Sequence, residues 1–144
     1  MKTVLVAGYF DPLHEGHLDH ITKAAMFGDY LCIVTHTDAC TERVKKARYT
    51  SLHFREFILR AIMNMLGRAG DVVVIDEETV ADTIRRLKPN TFAKGGDRTA
   101  NNMPEDEIMA CKEVGCRVVY GVGDQLNRSS EIKAKIMGGA HLSG

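Results

Sequence analysis

The chain has 144 residues, 44% hydrophobic and 26% charged, a balance that suits one domain with one sizeable core and argues against disorder. Basic and acidic residues number 19 each and cancel, so neither a broad nucleic-acid surface nor an anionic-membrane surface is indicated. No apolar run approaches the roughly 18 residues of a bilayer span, and Met1-Lys2 leads directly into a strand pattern, so a cytoplasmic protein without a membrane segment is expected.

The first element is a short apolar run from Thr3 to Gly8, brief enough for a buried parallel strand. A helical pattern from His17 to Phe27 follows, with apolar residues at 18, 21, 24 and 25. Tyr30 to Thr35 reads as a second strand, leading to Asp38 and a basic stretch from Arg43 to Arg48. Leu52 to Leu66 is an amphipathic helix stopped by Gly67; its Met63, Met65 and Leu66 suit a core or a subunit contact. Val72 to Ile75 is the third strand, Val80 to Leu87 a helix stopped before Pro89, and Thr91 to Ala93 the fourth strand. Pro104 to Val114 starts on proline and ends at Gly115, Arg117 to Tyr120 is the fifth strand, and Ser130 to Met137 closes the series as a helix. This alternation predicts an α/β, Rossmann-like doubly wound sheet of about five parallel strands with helices on both faces, forming a single domain over residues 1–144.

In such sheets ligands bind beyond the C-terminal ends of the strands. The polar and glycine-rich segments of this chain follow strands: Gly8 to Leu13 and the pair His14 and His17 after the first, the basic stretch after the second. Lys94-Gly95-Gly96-Asp97-Arg98 follows the fourth, and Gly121 to Gly123 with Asn127-Arg128-Ser129-Ser130 the fifth. Two imidazoles three residues apart at a helix start can bracket a phosphate chain, because exposed N–H groups and the helix dipole favour negative charge there. His14-Glu15-x-His17 lacks the i, i+4 spacing of a zincin pair, and His20 reads as a surface or inter-helix residue. The four cysteines, at 32, 40, 111 and 116, include no Cys-x-x-Cys pair and read as buried or incidental thiols.

Gly8-x-Phe10-Asp11-x-x-His14-x-Gly16-His17 resembles the signature of the cytidylyltransferase-like, HIGH-type nucleotidyltransferases. The similarity to glycerol-3-phosphate cytidylyltransferases continues through Gly28-Asp29-Tyr30-Leu31, Thr37-Asp38, Lys46, Tyr49 and Arg55. Around Lys94-Gly95-Gly96-Asp97 the chain is more similar to heptose-phosphate adenylyltransferases, and Arg128-Ser129-Ser130-x-Ile132 resembles the Ser-Thr-Thr-x-Ile helix start of several members. The resemblance implies transfer of CMP or AMP from CTP or ATP to a small phosphorylated acceptor, with release of pyrophosphate. It implies Mg2+ carried mainly by the triphosphate, no metal site built by protein residues, a homodimer, and neither nucleic acid nor membrane as partner.

By the same resemblance, His14, His17 and Lys46 are the expected catalytic residues. Gly8, Tyr9, Phe10, Asp11, Gly16, Asp97, Arg128, Ser129 and Ser130 would bind nucleotide, with Phe10 and Asp11 shaping the turn; Lys45, Lys94 and Arg98 would bind the acceptor, and Arg55 would brace the region from its helix. The chain departs from the family at Val44, which stands where the glycerol-phosphate enzymes carry a first lysine, so that Lys45 or Arg43 would substitute. The family's Arg-Thr-x-Gly-Ile segment is replaced by Gly123-Asp124-Gln125-Leu126-Asn127, leaving Arg128 to reach the phosphates from a shifted position. A non-catalytic nucleotide-binding regulator of the same fold is the alternative.

Overall fold

In the computed structural model, which describes residues 1–96 and 102–123, five parallel strands form one sheet in the order β3-β2-β1-β4-β5. The strands are β1 (Thr3–Ala7), β2 (Tyr30–His36), β3 (Ala69–Ile75), β4 (Thr91–Ala93) and β5 (Arg117–Val119). The helices are α1 (Glu15–Ala24), α2 (Asp38–Lys45), α3 (Leu52–Leu66), α4 (Ala81–Leu87) and α5 (Glu105–Val114), with a 3-10 turn over Ala25–Phe27.

Alternation along the central strands makes a two-sided core, because successive side chains of a strand leave on opposite faces. Val4, Val6, Leu31 and Ile33 pack with Ile21 and Ala24 of α1 and with Leu59 and Met63 of α3. Leu5, Cys32 and Val34 pack on the other side with Ala81 and Ile84 of α4 and with Ala110 and Cys111 of α5. The doubly wound sheet expected from the alternating pattern is the one observed.

Three differences from the sequence reading have local causes. β3 begins at Ala69 rather than Val72, because Ala69, Gly70 and Asp71 continue the ladder opposite Tyr30, Leu31 and Cys32 although they form no apolar run. α1 begins at Glu15, capped by the His14 side chain. α2 shows in the sequence only as a basic stretch; it buries just Cys40 and Thr41, too little apolar surface for a periodic signal, but Thr37 caps it by accepting from Cys40 N at 3.1 Å. The helix expected at Ser130 to Met137 lies outside the described residues. Among the described residues no helix is long and apolar enough to cross a membrane.

The Gly28-Asp29 pair seats β2 beside β1. Asp29 N donates to Lys2 O at 2.7 Å, and a Cβ on Gly28 would stand 2.7 Å from that same carbonyl oxygen. Any side chain at 28 would therefore push the two strands apart.

Candidate active site

Sheet order β3-β2-β1-β4-β5 means that the chain winds outward from β1 through β2 and β3, then returns to start again at β4. The switch point lies between β1 and β4, and the segment leaving β1 borders it. Gly8 N extends the ladder by donating to Val34 O at 3.0 Å. Phe10 then adopts φ 53, a left-handed conformation that a bulky residue rarely takes, and its ring is buried in the core with 2% exposure. The reversal brings that ring edge-on to His17, with centroids 5.1 Å apart at 73°. A Cβ on Gly8 would press within 3.2 Å of the Phe10 ring.

His14 and His17 close a reciprocal cap on α1. Gly16 N donates to His14 Nδ1 at 3.1 Å, and His14 N donates to His17 Nδ1 at 3.3 Å. This is a capping box in which imidazoles replace the usual hydroxyl and carboxamide. Because each Nδ1 accepts, each neutral ring carries its proton on Nε2. The rings stack with centroids 3.8 Å apart at 26°. Burial, then the neighbouring His14 and His20 and the Lys45 ammonium, lower the pKa of His17 to about 3. His17 is therefore neutral near pH 7, and a hydrogen bond from its Nε2–H is what it can offer an anion.

Asp11 is placed differently from a nucleotide ligand. It is 2% exposed, and its carboxylate accepts from Tyr49 N at 2.8 Å, Thr50 N at 2.7 Å and Thr50 Oγ1 at 2.7 Å. Both oxygens are committed to the segment joining α2 to α3, so Asp11 holds that segment against the turn that follows β1. Arg55, fully buried, completes the clamp: its guanidinium donates to Thr50 O at 2.5 Å, Asp38 Oδ1 at 3.2 Å and His36 O at 2.8 Å. Asp38 also accepts from Leu52 N at 2.8 Å. The bracing expected of Arg55 is thus present, but it acts on backbone and on Asp38.

The two adjacent lysines part company at the end of α2. Lys45 is the last helical residue; its ammonium stands 5.5 Å from the centroid of the Tyr9 ring, and its charge is felt at His17. Lys46 is the C-cap, with φ 65, its N–H donating to Glu42 O at 3.0 Å and its side chain exposed. The structure thus brings the Lys45 ammonium near the Tyr9 ring and leaves the Lys46 side chain exposed at the helix end. Tyr9 in turn stacks on His36 with centroids 4.0 Å apart at 16°. His36 is 3% exposed, its Nδ1–H donates to Glu77 O at 3.0 Å, and burial lowers its pKa. Burial likewise raises the Tyr9 phenol. Nothing in the sequence marked His36, which lies at the end of β2 outside the matched motif.

On the β4 flank, Lys94 was expected to hold the acceptor. Its ammonium lies 3.5 Å from Glu107 Oε1 and 4.4 Å from the centroid of the Phe92 ring, and its side chain is 11% exposed. Glu107 Oε2 accepts from Val80 N at 3.0 Å, so Lys94 is part of a buried ionic link between β4, α5 and the start of α4. His20, expected at the surface or between helices, donates from Nδ1 to Val122 O at 2.7 Å and ties α1 to the segment after β5. A groove of 420 Å³ lies between the end of α1 and that segment; its lining includes neither histidine of the pair. Asp97, Arg98, Arg128, Ser129 and Ser130 lie outside the described residues. Among the described residues no group of three or more His, Cys, Asp or Glu is arranged to hold a metal ion.

A family model described as cytidylyltransferase-like matches residues 5–135. The bifunctional protein HldE of Campylobacter curvus is 33% identical over 109 residues, covering 75% of this chain and 23% of that protein. HldE of Geobacter sulfurreducens is 35% identical over 109 residues (75% and 22%), and HldE of Helicobacter pylori 37% identical over 98 residues (67% and 20%). The chain therefore spans less than a quarter of the length of these relatives. Among solved structures, a lipopolysaccharide core biosynthesis protein from Thermoplasma volcanium aligns with a TM-score of 0.67 at 21% identity, over 87% of this chain and 99% of that one. A universal stress protein from Archaeoglobus fulgidus aligns with a TM-score of 0.52 at 10% identity, over 83% and 93%. These two likenesses concern the fold.

Proposed function

Because the chain belongs to the cytidylyltransferase-like family, we propose that residues 1–144 form one nucleotidyltransferase domain, moving CMP or AMP from CTP or ATP onto a small phosphorylated acceptor. One observation carries this reading: two stacked imidazoles at the N-terminus of α1, each accepting a backbone N–H at Nδ1, so that a neutral ring carries its proton on Nε2. Such a pair suits phosphate oxygens, which need donors and gain further from the helix dipole.

In the proposed reaction an oxygen of the acceptor's phosphate attacks the α-phosphorus of the nucleotide. A new P–O bond forms, the bond from the α-phosphorus to the bridging oxygen breaks, and pyrophosphate leaves with that electron pair. Negative charge grows on the non-bridging and leaving oxygens. His14 and His17 stabilise it by donating hydrogen bonds; the depressed pKa of His17 keeps its ring neutral, and the bond that its Nδ1 accepts from His14 N–H leaves the one ring proton on Nε2. No covalent enzyme intermediate is needed.

We assign the cationic role to Lys45 in place of Lys46, on the grounds that its ammonium stands 5.5 Å from the centroid of the Tyr9 ring and its charge bears on His17. We place the acceptor on the β2 flank, beside Tyr9 and Lys45, and the nucleoside toward the crevice between β1 and β4. An in-line displacement needs the attacking oxygen and the departing pyrophosphate oxygen on opposite sides of the α-phosphorus, with the nucleoside oxygen among the groups that stay bound, so pyrophosphate leaves away from the Tyr9 and Lys45 side. Asp11 is committed to protein donors, and the proposed reaction takes Mg2+ as the counter-ion of the triphosphate. Bound there, it neutralises phosphate charge.

The subunit contact of the proposed homodimer is the outward face of α3, where Phe54, Phe57 and Met65 are 50%, 66% and 87% exposed.

The reading is tested by incubating the protein with CTP or ATP, Mg2+ and a panel of sugar and polyol phosphates while measuring pyrophosphate. We expect release with one nucleotide in an acceptor-dependent manner. Nucleotide binding by calorimetry with no release across the panel would instead favour a regulatory protein.

A further inference from the structure

The four cysteines include no short redox motif, yet the fold brings two of them together. Cys111 lies in the last turn of α5, and Cys116 immediately precedes β5. Gly115, at φ 73, turns the chain between them, and Cys116 N donates to Cys111 O at 2.9 Å. Such a closure over six residues brings the flanking Cα atoms into the window of roughly 4.4–6.8 Å that a disulfide spans. Both side chains enter the same core cluster, with exposures of 2% and 8%, and the thiols are near enough to shift each other's ionisation. The other cysteines have different neighbours: Cys40 Sγ lies 3.6 Å from His36 Nδ1 and from Glu77 O, and Cys32 lies within β2.

We infer that Cys111 and Cys116 are a redox-active pair that closes to a reversible intramolecular disulfide when the folded protein meets a peroxide. The pair is chemically unequal. Cys111 is held below its ordinary pKa, first by the neighbouring Cys116 thiol and also by the Lys94 ammonium, against burial and Glu107, while Cys111 and burial push Cys116 up. Cys111 is therefore the sulfur that attacks. Its thiolate takes the terminal oxygen of hydrogen peroxide: an S–O bond forms, the O–O bond breaks, and the departing hydroxide is protonated to water. The Cys116 sulfur then attacks the Cys111 sulfenic acid, the S–O bond breaks and a second water leaves. Two electrons pass from the two thiols to the peroxide, and both thiol protons end in water.

The product ties the last turn of α5 to the start of β5, one helical turn beyond Glu107 and its link to Lys94. This inference rests on the thiol pair alone and is independent of the reaction proposed for the histidine site.

The test is to treat the reduced, folded protein with hydrogen peroxide, block remaining thiols after denaturation, and digest without reductant. Lys112 lies between the two cysteines, so trypsin separates them into peptides 99–112 and 113–117. We expect these two peptides joined, the thiol count reduced from four to two, and both effects reversed by dithiothreitol. In Cys116→Ser the bond is absent and a dimedone-reactive sulfenic acid accumulates on Cys111; in Cys111→Ser both products fall at least tenfold. Four remaining thiols, a bond involving Cys32 or Cys40, or a bond between two chains would overturn the inference. The wild-type digest decides the matter even if a serine variant folds poorly.

Discussion

Replacing His17 by asparagine tests the electrostatics of the site quantitatively. In the folded chain burial, His14, His20 and Lys45 lower the imidazole pKa to about 3, whereas an unfolded histidine titrates near ~6.5. Between those values the unfolded chain binds a proton that the folded chain refuses. Stability therefore rises with pH across that window, and is lost as the pH falls from ~6.5 toward 3. One titrating group contributes at most about 1.4 kcal/mol per pH unit, so acidification from ~6.5 to ~5 costs the wild type on the order of 2 kcal/mol through this residue. Asparagine keeps a side-chain acceptor for His14 N–H but gains no proton in this range. Urea unfolding at several pH values should show the wild type losing stability more steeply than the variant, by on the order of 1 kcal/mol per pH unit. Parallel slopes would refute the reasoning, as would a His17 NMR resonance that titrates near ~6.5.

Other substitutions separate reaction from scaffold. Lys45→Ala should lower kcat/KM by about 100-fold in the pyrophosphate assay, the scale of losing one transition-state charge contact. Lys46→Gly should leave kcat/KM within about twofold and raise the unfolding free energy by ~0.5–1 kcal/mol, because its left-handed C-cap favours glycine. Asp11→Ala strips three part-buried donors of their acceptor and should cost about 3 kcal/mol in chemical denaturation. Phe57→Glu should convert a dimer to a monomer in analytical ultracentrifugation without altering the far-ultraviolet circular dichroism; an unchanged mass would remove α3 from the interface.

Much of the fold was legible because its elements carry their own signals. α3 runs from Leu52 to Leu66 as its apolar spacing and Gly67 indicate, and β4 occupies Thr91–Ala93 as its short apolar run does. α2 was not legible, since a helix that buries two small residues leaves almost no periodicity. At the site, the spacing of His14, Gly16 and His17 identified the helix start, but sequence could not show that the imidazoles cap each other. Nor could it show which groups satisfy Asp11 or Lys94. Those partners, Tyr49, Thr50 and Glu107, are distant in the chain, and a carboxylate or ammonium in a motif reads the same whether it faces a ligand or the protein. The split between Lys45 and Lys46 depends on where α2 ends, a boundary invisible without α2 itself. Cys111 and Cys116 meet for the same reason, through a helix stop whose geometry only the fold supplies.

The most direct measurement of the central claim follows the phosphorus. With the nucleotide labelled separately at the α and γ positions, and the acceptor that supports pyrophosphate release, we expect the α label in the acceptor product and the γ label in pyrophosphate. His14→Ala and His17→Asn should slow the α transfer by at least about 100-fold while changing nucleotide affinity much less. Appearance of the γ label in the acceptor, or undiminished α transfer in both histidine variants, would contradict attack at the α-phosphorus within this site.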